Sequence, residues 1–208
     1  MNFKELCEAL ILEGEGRTNG VADFTGLPEW PKAQAWIKTA YEQIQREQPF
    51  WKFRFASGQL LQLRDGVSTY LPIVDVAEVV KDSLFIEVNG SRQRLGWIDY
   101  SCWNALLASS AEGLPRWITQ KPSEEFVLAP TPDASYVVEG EWYSTIDIFD
   151  EDEDEPIWAE EFHSLILWTA LQFWAEEYDV PSLRTRISLV LPRMARAFAL
   201  RYLPATKK

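Results

Sequence analysis

The sequence predicts an α+β fold, on three observations. Apolar residues recur at spacings of three and four at both ends of the chain, the mark of helices with one buried face. Between Phe50 and Trp97 the apolar period falls to two, with Ser57-Gly58, Asp65-Gly66 and Asn89-Gly90 as turn signals. A chain of 208 residues holds one domain, or one domain with a sizeable insertion, and can bury a substantial core.

Taken in order, Asn2 to Leu12 is a short helix with Phe3, Leu6, Cys7, Leu10 and Ile11 on its buried face. Residues 13–20 stop it; no strand precedes their glycines and no Gly-Lys-Ser/Thr follows, so they read as a loop and not a phosphate cradle. Pro31 opens a second helix, Lys32 to Gln48, striped by Trp36, Ile37, Ala40, Tyr41 and Ile44 and ended by Pro49. Phe50 to Phe55 then reads as a strand alternating buried aromatics with exposed Lys52 and Arg54. Further strands are expected over Gln59–Leu63, Ser68–Leu71, Ser83–Val88 and Arg92–Trp97, with 74–80 an irregular connector. Asn89-Gly90 suits a type I′ turn; the formal glycosylation sequon it begins is read as that hairpin.

Asp99 is placed to cap a middle helix, Tyr100 to Ala111, carrying Trp103, Leu106 and Leu107. Next come Phe126–Leu128 and Tyr136–Tyr143, an apolar strand pair around the turn Ala129-Pro130-Thr131-Pro132-Asp133. An unbroken acid run, Asp150 to Glu155, leads through Pro156-Ile157 into a long aromatic helix, Trp158 to Tyr178. That helix is apolar on several sides, so it must be covered on several sides. Ser182 is the expected cap of a last helix reaching about Tyr202, in which Pro192 predicts a kink or break. This helix carries Arg184, Arg186, Arg193, Arg196 and Arg201, with no acid after Asp179. Acid at 150–155 and base at 184–208 can pair within one chain or between neighbouring chains.

The net charge of −12 argues against a surface that grips DNA, which needs clustered Lys and Arg, but suits a wall past which DNA slides. The 10 Trp, 7 Tyr and 11 Phe exceed what a minimal core needs and point to burial at contacts with other chains. Cys7 and Cys102 follow no metal spacing and read as buried free thiols of a protein made in the cytosol. The start of the chain lacks the pattern of a signal peptide, and no apolar run reaches the roughly 18 residues of a membrane span, so a soluble protein is expected.

Chemistry finds little purchase. His163 is the only histidine, which removes two-histidine metal sites, and it has no Gly-x-Ser-x-Gly partner; it reads as structural. Asp150, Asp152 and Asp154 stand at positions 1, 3 and 5 of a calcium-loop count, with Glu161 at position 12. Glu155 occupies position 6, where a glycine makes the sharp turn, so a solvated anionic loop is the expected reading. Trp51 to Phe55 interleaves aromatics with basic residues, as a single-strand nucleic-acid platform does, but the negative charge favours an ordinary strand. Paired carboxylates for glycoside hydrolysis can be drawn from almost any two of these acids, and nothing selects a pair. No catalytic residue, cofactor or resident metal is expected.

Two features carry a resemblance. One is the helix Trp36 to Ile44 running into Pro49-Phe50-Trp51-Lys52-Phe53. The other is the series Gly113-Leu114-Pro115-Arg116-Trp117, Phe126 to Pro132, Tyr136 to Tyr143, then acids with a proline and an aromatic helix. In this order the chain resembles, over nearly its whole length, the head-to-tail adaptor proteins of tailed phages. The resemblance implies a helical bundle built from the N-terminal, middle and C-terminal helices (1–49, 99–125 and 156–208), with a β-rich insertion at 50–98 and 126–143 as an added strand pair. It implies no enzyme: a structural virion protein, made in the host cytoplasm, forming a ring of commonly twelve copies between portal and tail proteins. DNA would pass through the ring without sequence-specific binding. Trp158 and the arginines at 184, 186, 193, 196 and 201 are the expected contact residues. A virion-associated cell-wall hydrolase and an acidic DNA mimic are the alternatives.

Overall fold

The computed structural model describes residues 1–16, 23–88, 90–107 and 111–204, with only the backbone of 104–107. Within them the helices are α1 Phe3–Glu15, α2 Trp30–Arg46, α3 Tyr100–Leu107, α4 His163–Glu177 and α5 Pro181–Tyr202. The strands are β1 Phe55–Gln62, β2 Thr69–Tyr70, β3 Glu78–Val79, β4 Phe85–Val88, β5 Ser91–Arg94, β6 Gly96–Trp97, β7 Trp117–Gln120, β8 Phe126–Ala129 and β9 Val137–Tyr143. The fold is therefore mixed α+β. It divides into two compact units, residues 1–53 with 146–208, and residues 54–145.

In the first unit α4 is the central element. Leu165, Ile166, Leu167, Ala170, Leu171, Trp174 and Ala175 are all buried, and α1, α2 and α5 each pack against it. Full burial of a large aliphatic or aromatic side chain contributes about 1.5–3 kcal/mol, so packing and not intrinsic propensity holds this helix. α1 begins at a capping box: Glu5 N–H donates to Asn2 Oδ1 at 2.8 Å, and Asn2 N–H donates to the Glu5 carboxylate at 3.0 Å. It runs three residues past its expected end at Leu12, to Glu15, and is capped by Gly16, whose φ of 66° is left-handed. Gly14 sits inside α1 where a Cβ would come 2.3 Å from the Trp174 ring. Of the loop expected at 13–20, residues 17–20 lie outside the described residues.

The aromatic helix starts later than the sequence suggests. Trp158 precedes it, and a 3-10 turn over Glu160–Phe162 leads into α4. Ahead of it Ala159 is extended, with ψ 141°, and side chains hold the segment: Ile157 N–H donates to the Tyr41 hydroxyl (3.1 Å) and Ala159 N–H to the Tyr202 hydroxyl (2.9 Å). At α5 the expected cap does not form: the helix starts at Pro181 behind Val180, without a side-chain cap at Ser182. It also continues through Pro192 as one helix. Phe50 to Phe53 is not strand. Trp51 turns in and donates its indole N–H to Ile44 O at 3.0 Å, which takes the segment out of a ladder.

In the second unit one sheet has the order β1-β9-β4-β5, with β3 also on β9, and a second has the order β2-β8-β7-β6. β8 and β9 therefore belong to different sheets and do not form the expected pair. Between them Pro130 and Pro132 cannot donate to a ladder, and Gly113 N–H and Gly66 N–H donate to Thr131 O and Pro132 O instead. Ser57-Gly58 is not a turn but lies within β1, opposite Glu141-Gly140; a Cβ on Gly140 would come 2.5 Å from Leu84. The β1–β9 register shifts between Gln59 and Leu61, and this bulge lets the consecutive Leu60 and Leu61 both be fully buried. The connector 74–80 gains the short strand β3. The β4–β5 register pairs Val88 with Ser91, with Gly90 at φ 76°; Asn89 lies outside the described residues.

α3 lies in this second unit, where Trp103 packs with Val127 and Ala129 of β8. The middle helix, expected with the helices of 1–49 and 156–208, is thus grouped with the strands. Residues 108–110 lie outside the described residues, and Ala111 is not helical. Asp99 closes the start of α3 through its backbone, accepting from Cys102 N–H at 2.9 Å. Cys7 is buried as expected, whereas Cys102 on α3 is exposed. No helix among the described residues is long and apolar enough to cross a membrane.

Candidate interaction surface

The C-terminal helix presents the basic residues that the sequence singles out. Leu183, Ile187 and Phe198 are its buried side chains, and all five arginines are exposed on its remaining circumference. Arg184 pairs with Asp179 at 2.9 Å. Arg186 pairs with Glu13 at 3.3 Å and lies over the Trp168 ring at 5.5 Å. Arg193, Arg196 and Arg201 form no ion pair among the described residues. Arg193, Arg196 and Leu200 follow one another at helical spacings of three and four, so they share a face.

Beside that face lies a hollow of about 510 Å³ lined by Gln48, Phe50, Arg196, Ala199, Leu200, Leu203 and Pro204. Its apolar lining is open to solvent: Leu200 is 77 % exposed and Phe50 45 %. Among the described residues the lining contains one cation and no acid. Glu47, in the neighbouring depression against Ala195 and Ala199, is held above the ordinary carboxylate range by burial.

The acid run is built onto the start of α1. Phe3 N–H donates to Asp154 O (2.8 Å) and Lys4 N–H to Asp152 O (3.0 Å), so two of the orphan donors of that helix end are satisfied by the loop's backbone. Asn2 Nδ2 adds a longer bond of 3.4 Å to Glu153. The loop's anchor is Phe149, 2 % exposed and stacked on Tyr41 at 4.2 Å and on Phe3 at 5.1 Å. Negative charge near a helix N-terminus is also favoured by the helix dipole. Behind the loop, the buried Gln45 amide pairs with the backbone of Asp147 in both directions, accepting from its N–H and donating to its C=O at 2.8 Å each. Tyr41 donates to the Asp147 carboxylate at 2.6 Å.

This arrangement bears on calcium. The Asp154 carboxylate turns onto the backbone, where it accepts from Asp150 N–H (2.7 Å) and Glu151 N–H (2.8 Å), and those bonds hold it below the ordinary carboxylate range. Asp150, Asp152 and Glu161 are exposed. Among the described residues no three His, Cys, Asp or Glu side chains stand together as metal ligands. Nor does any residue of 150–155 form an ion pair with a described cation, so among the described residues the two charge blocks do not pair.

The other residues weighed from sequence have structural surroundings. Trp158 is 4 % exposed, ringed by Tyr41, Phe53 and Phe198, and so packs inside the chain instead of facing outward. His163 is buried between the Met1 ammonium, which donates to Nδ1 at 3.0 Å, and Trp158 O, which accepts from Nε2–H at 3.0 Å. Arg54, expected outside, is 6 % exposed; it donates from Nε to Ser144 O at 2.8 Å and again from Nη2, so it is not free to bind a nucleic acid. Burial draws its pKa down.

Sequence reasoning missed Phe50, Leu200, Ile148 and Ile157 as exposed apolar positions; Ile157, for one, stands between the buried Pro156 and Trp158. Gln45 was missed too, because nothing in the sequence sets it apart from Gln34 and Gln43 of the same helix.

No curated protein matches the chain. The model of the SU10 adaptor protein family matches residues 1–202, nearly the full length, and bears out the resemblance to the phage head-to-tail adaptors. The chain belongs to the SU10 adaptor protein family.

Proposed function

We propose that the protein is a structural component of a phage virion, an adaptor that forms a ring between the portal and the tail and lets the genome pass through. The observation that carries this reading is the family match over residues 1–202. The helices of the first unit serve as the bundle that builds the ring, and copies commonly number twelve in the phages that the chain resembles. A net charge of −12 suits a channel component, because an acidic wall repels phosphate and keeps DNA from adhering. The apolar hollow and the unpaired arginines of α5 suit a helix that docks on another protein, either the portal or a sister copy. No step in this role needs catalysis or a cofactor.

The test is assembly. Purified portal and this protein, mixed and imaged by electron microscopy, are expected to form a ring-on-ring complex. Two proteins that remain separate at high concentration overturn the proposal.

A further inference from the structure

We infer that the acid loop of one copy, residues 148–157, docks in the hollow beside α5 of a second copy. This deepens the proposed function and takes from it only that copies of the chain meet. The argument is complementarity in both charge and apolar surface, between an acid run and a set of α5 arginines that form no ion pair among the described residues.

On one side is the hollow lined by Phe50, Leu200, Leu203 and Pro204, with Arg196 in its wall and Arg193 on the same helical face. Among the described residues Arg193, Arg196 and Arg201 have no carboxylate within ion-pair distance, and none of those that line the hollow is an acid. On the other side is a loop whose six acids are flanked by Ile148, 50 % exposed, and Ile157, 40 % exposed. Isoleucines projecting at each end of an anionic segment match an apolar hollow beside a basic helix face. The loop needs no reordering to dock. Phe149 is locked between Phe3 and Tyr41, and the backbone carbonyls of Asp152 and Asp154 are fixed on α1, so the ordering entropy is already spent on folding. Because the two patches differ, each copy offers one and accepts the other, and such contacts propagate from copy to copy.

The association is directly testable by disulfide trapping, which captures weak encounters. In a Cys102→Ser background, full-length Ile157→Cys and Leu200→Cys chains are mixed under mild oxidation; mixing singly substituted chains excludes bonds within one copy. The mixture is expected to give a mixed disulfide dimer several-fold above a control pair in which Leu71→Cys, exposed in the other unit, replaces Ile157→Cys. Asp152→Lys with Glu153→Lys on the first chain is expected to abolish the excess, and Arg196→Glu with Arg201→Glu on the second to restore it. A yield no greater than the control, or one indifferent to charge reversal, overturns the inference. So does a Leu200→Cys chain that cross-links to portal protein but not to the Ile157→Cys chain. If the portal complex forms without this disulfide, only the docking inference falls. If the disulfide forms and the portal complex does not, the adaptor reading falls instead.

Discussion

The contact between Gln45 and the backbone of residue 147 gives the sharpest test of how the acid loop is held. Gln45 is fully buried on α2, and its amide both donates to Asp147 O and accepts from Asp147 N–H, at 2.8 Å in each direction. Gln45→Ala removes both bonds and leaves an N–H and a C=O without their partner. An unmet buried polar group costs about 1–3 kcal/mol. Both groups here are only part-buried, which places each near the low end, so the expected loss is about 2–3 kcal/mol. Urea denaturation with equal slopes for variant and parent, followed by far-ultraviolet circular dichroism, measures it. Gln43→Ala, two residues away on the exposed side of α2, is the control and is expected to stay within about 0.5 kcal/mol. A Gln45→Ala loss as small as the control would refute the claim that this amide anchors the segment leading into the acid loop.

Other outcomes follow from the same packing. Gly14→Ala reverses the usual gain of replacing a helical glycine, because the new Cβ would meet the Trp174 ring at 2.3 Å; a loss of about 1–3 kcal/mol is expected from the thermal midpoint, and a gain refutes it. Burial pushes the Cys7 thiol up to about 12, while Cys102 is exposed, so a thiol reagent is expected to titrate one cysteine in the native protein and two in urea. Asp154 has a folded pKa below its unfolded one, so its contribution is present above the ordinary carboxylate value and is lost as pH falls through the depressed one. Asp154→Ala is therefore expected to flatten the acid limb of the stability curve, and an unchanged limb counts against the two backbone bonds.

The helices were legible because each shows one period. α1, α2 and α5 have apolar stripes at three-and-four spacing, and α4 is apolar almost all round and is covered by the other three. Strand positions were legible in the alternation of β4, β5 and β9, but strand partners were not. β8 and β9 follow one another across a proline-rich turn, the pattern of a hairpin, yet each pairs in a different sheet. Pairing is set by contacts distant in sequence, such as β1 with β9, which no local pattern encodes. The bulge at Leu60-Leu61 was hidden for a related reason: two adjacent leucines cannot both face one side of a regular strand, so the irregularity exists only relative to a partner.

At the surface the same distinction decides what could be read. The charges were plain in the sequence, but whether they were used within the chain was not. Arg184 and Arg186 find Asp179 and Glu13, acids outside the run at 150–155, while that run gives the carbonyls of Asp152 and Asp154 to α1 and, the Asp154 carboxylate apart, keeps its side chains exposed. Exposed ion pairs contribute little, typically under about 1 kcal/mol, so folding alone gains almost nothing by joining the two blocks. An acid run on an anchored loop and the arginines at 193, 196 and 201, without an ion pair among the described residues and each set beside exposed apolar residues, therefore cost the fold little.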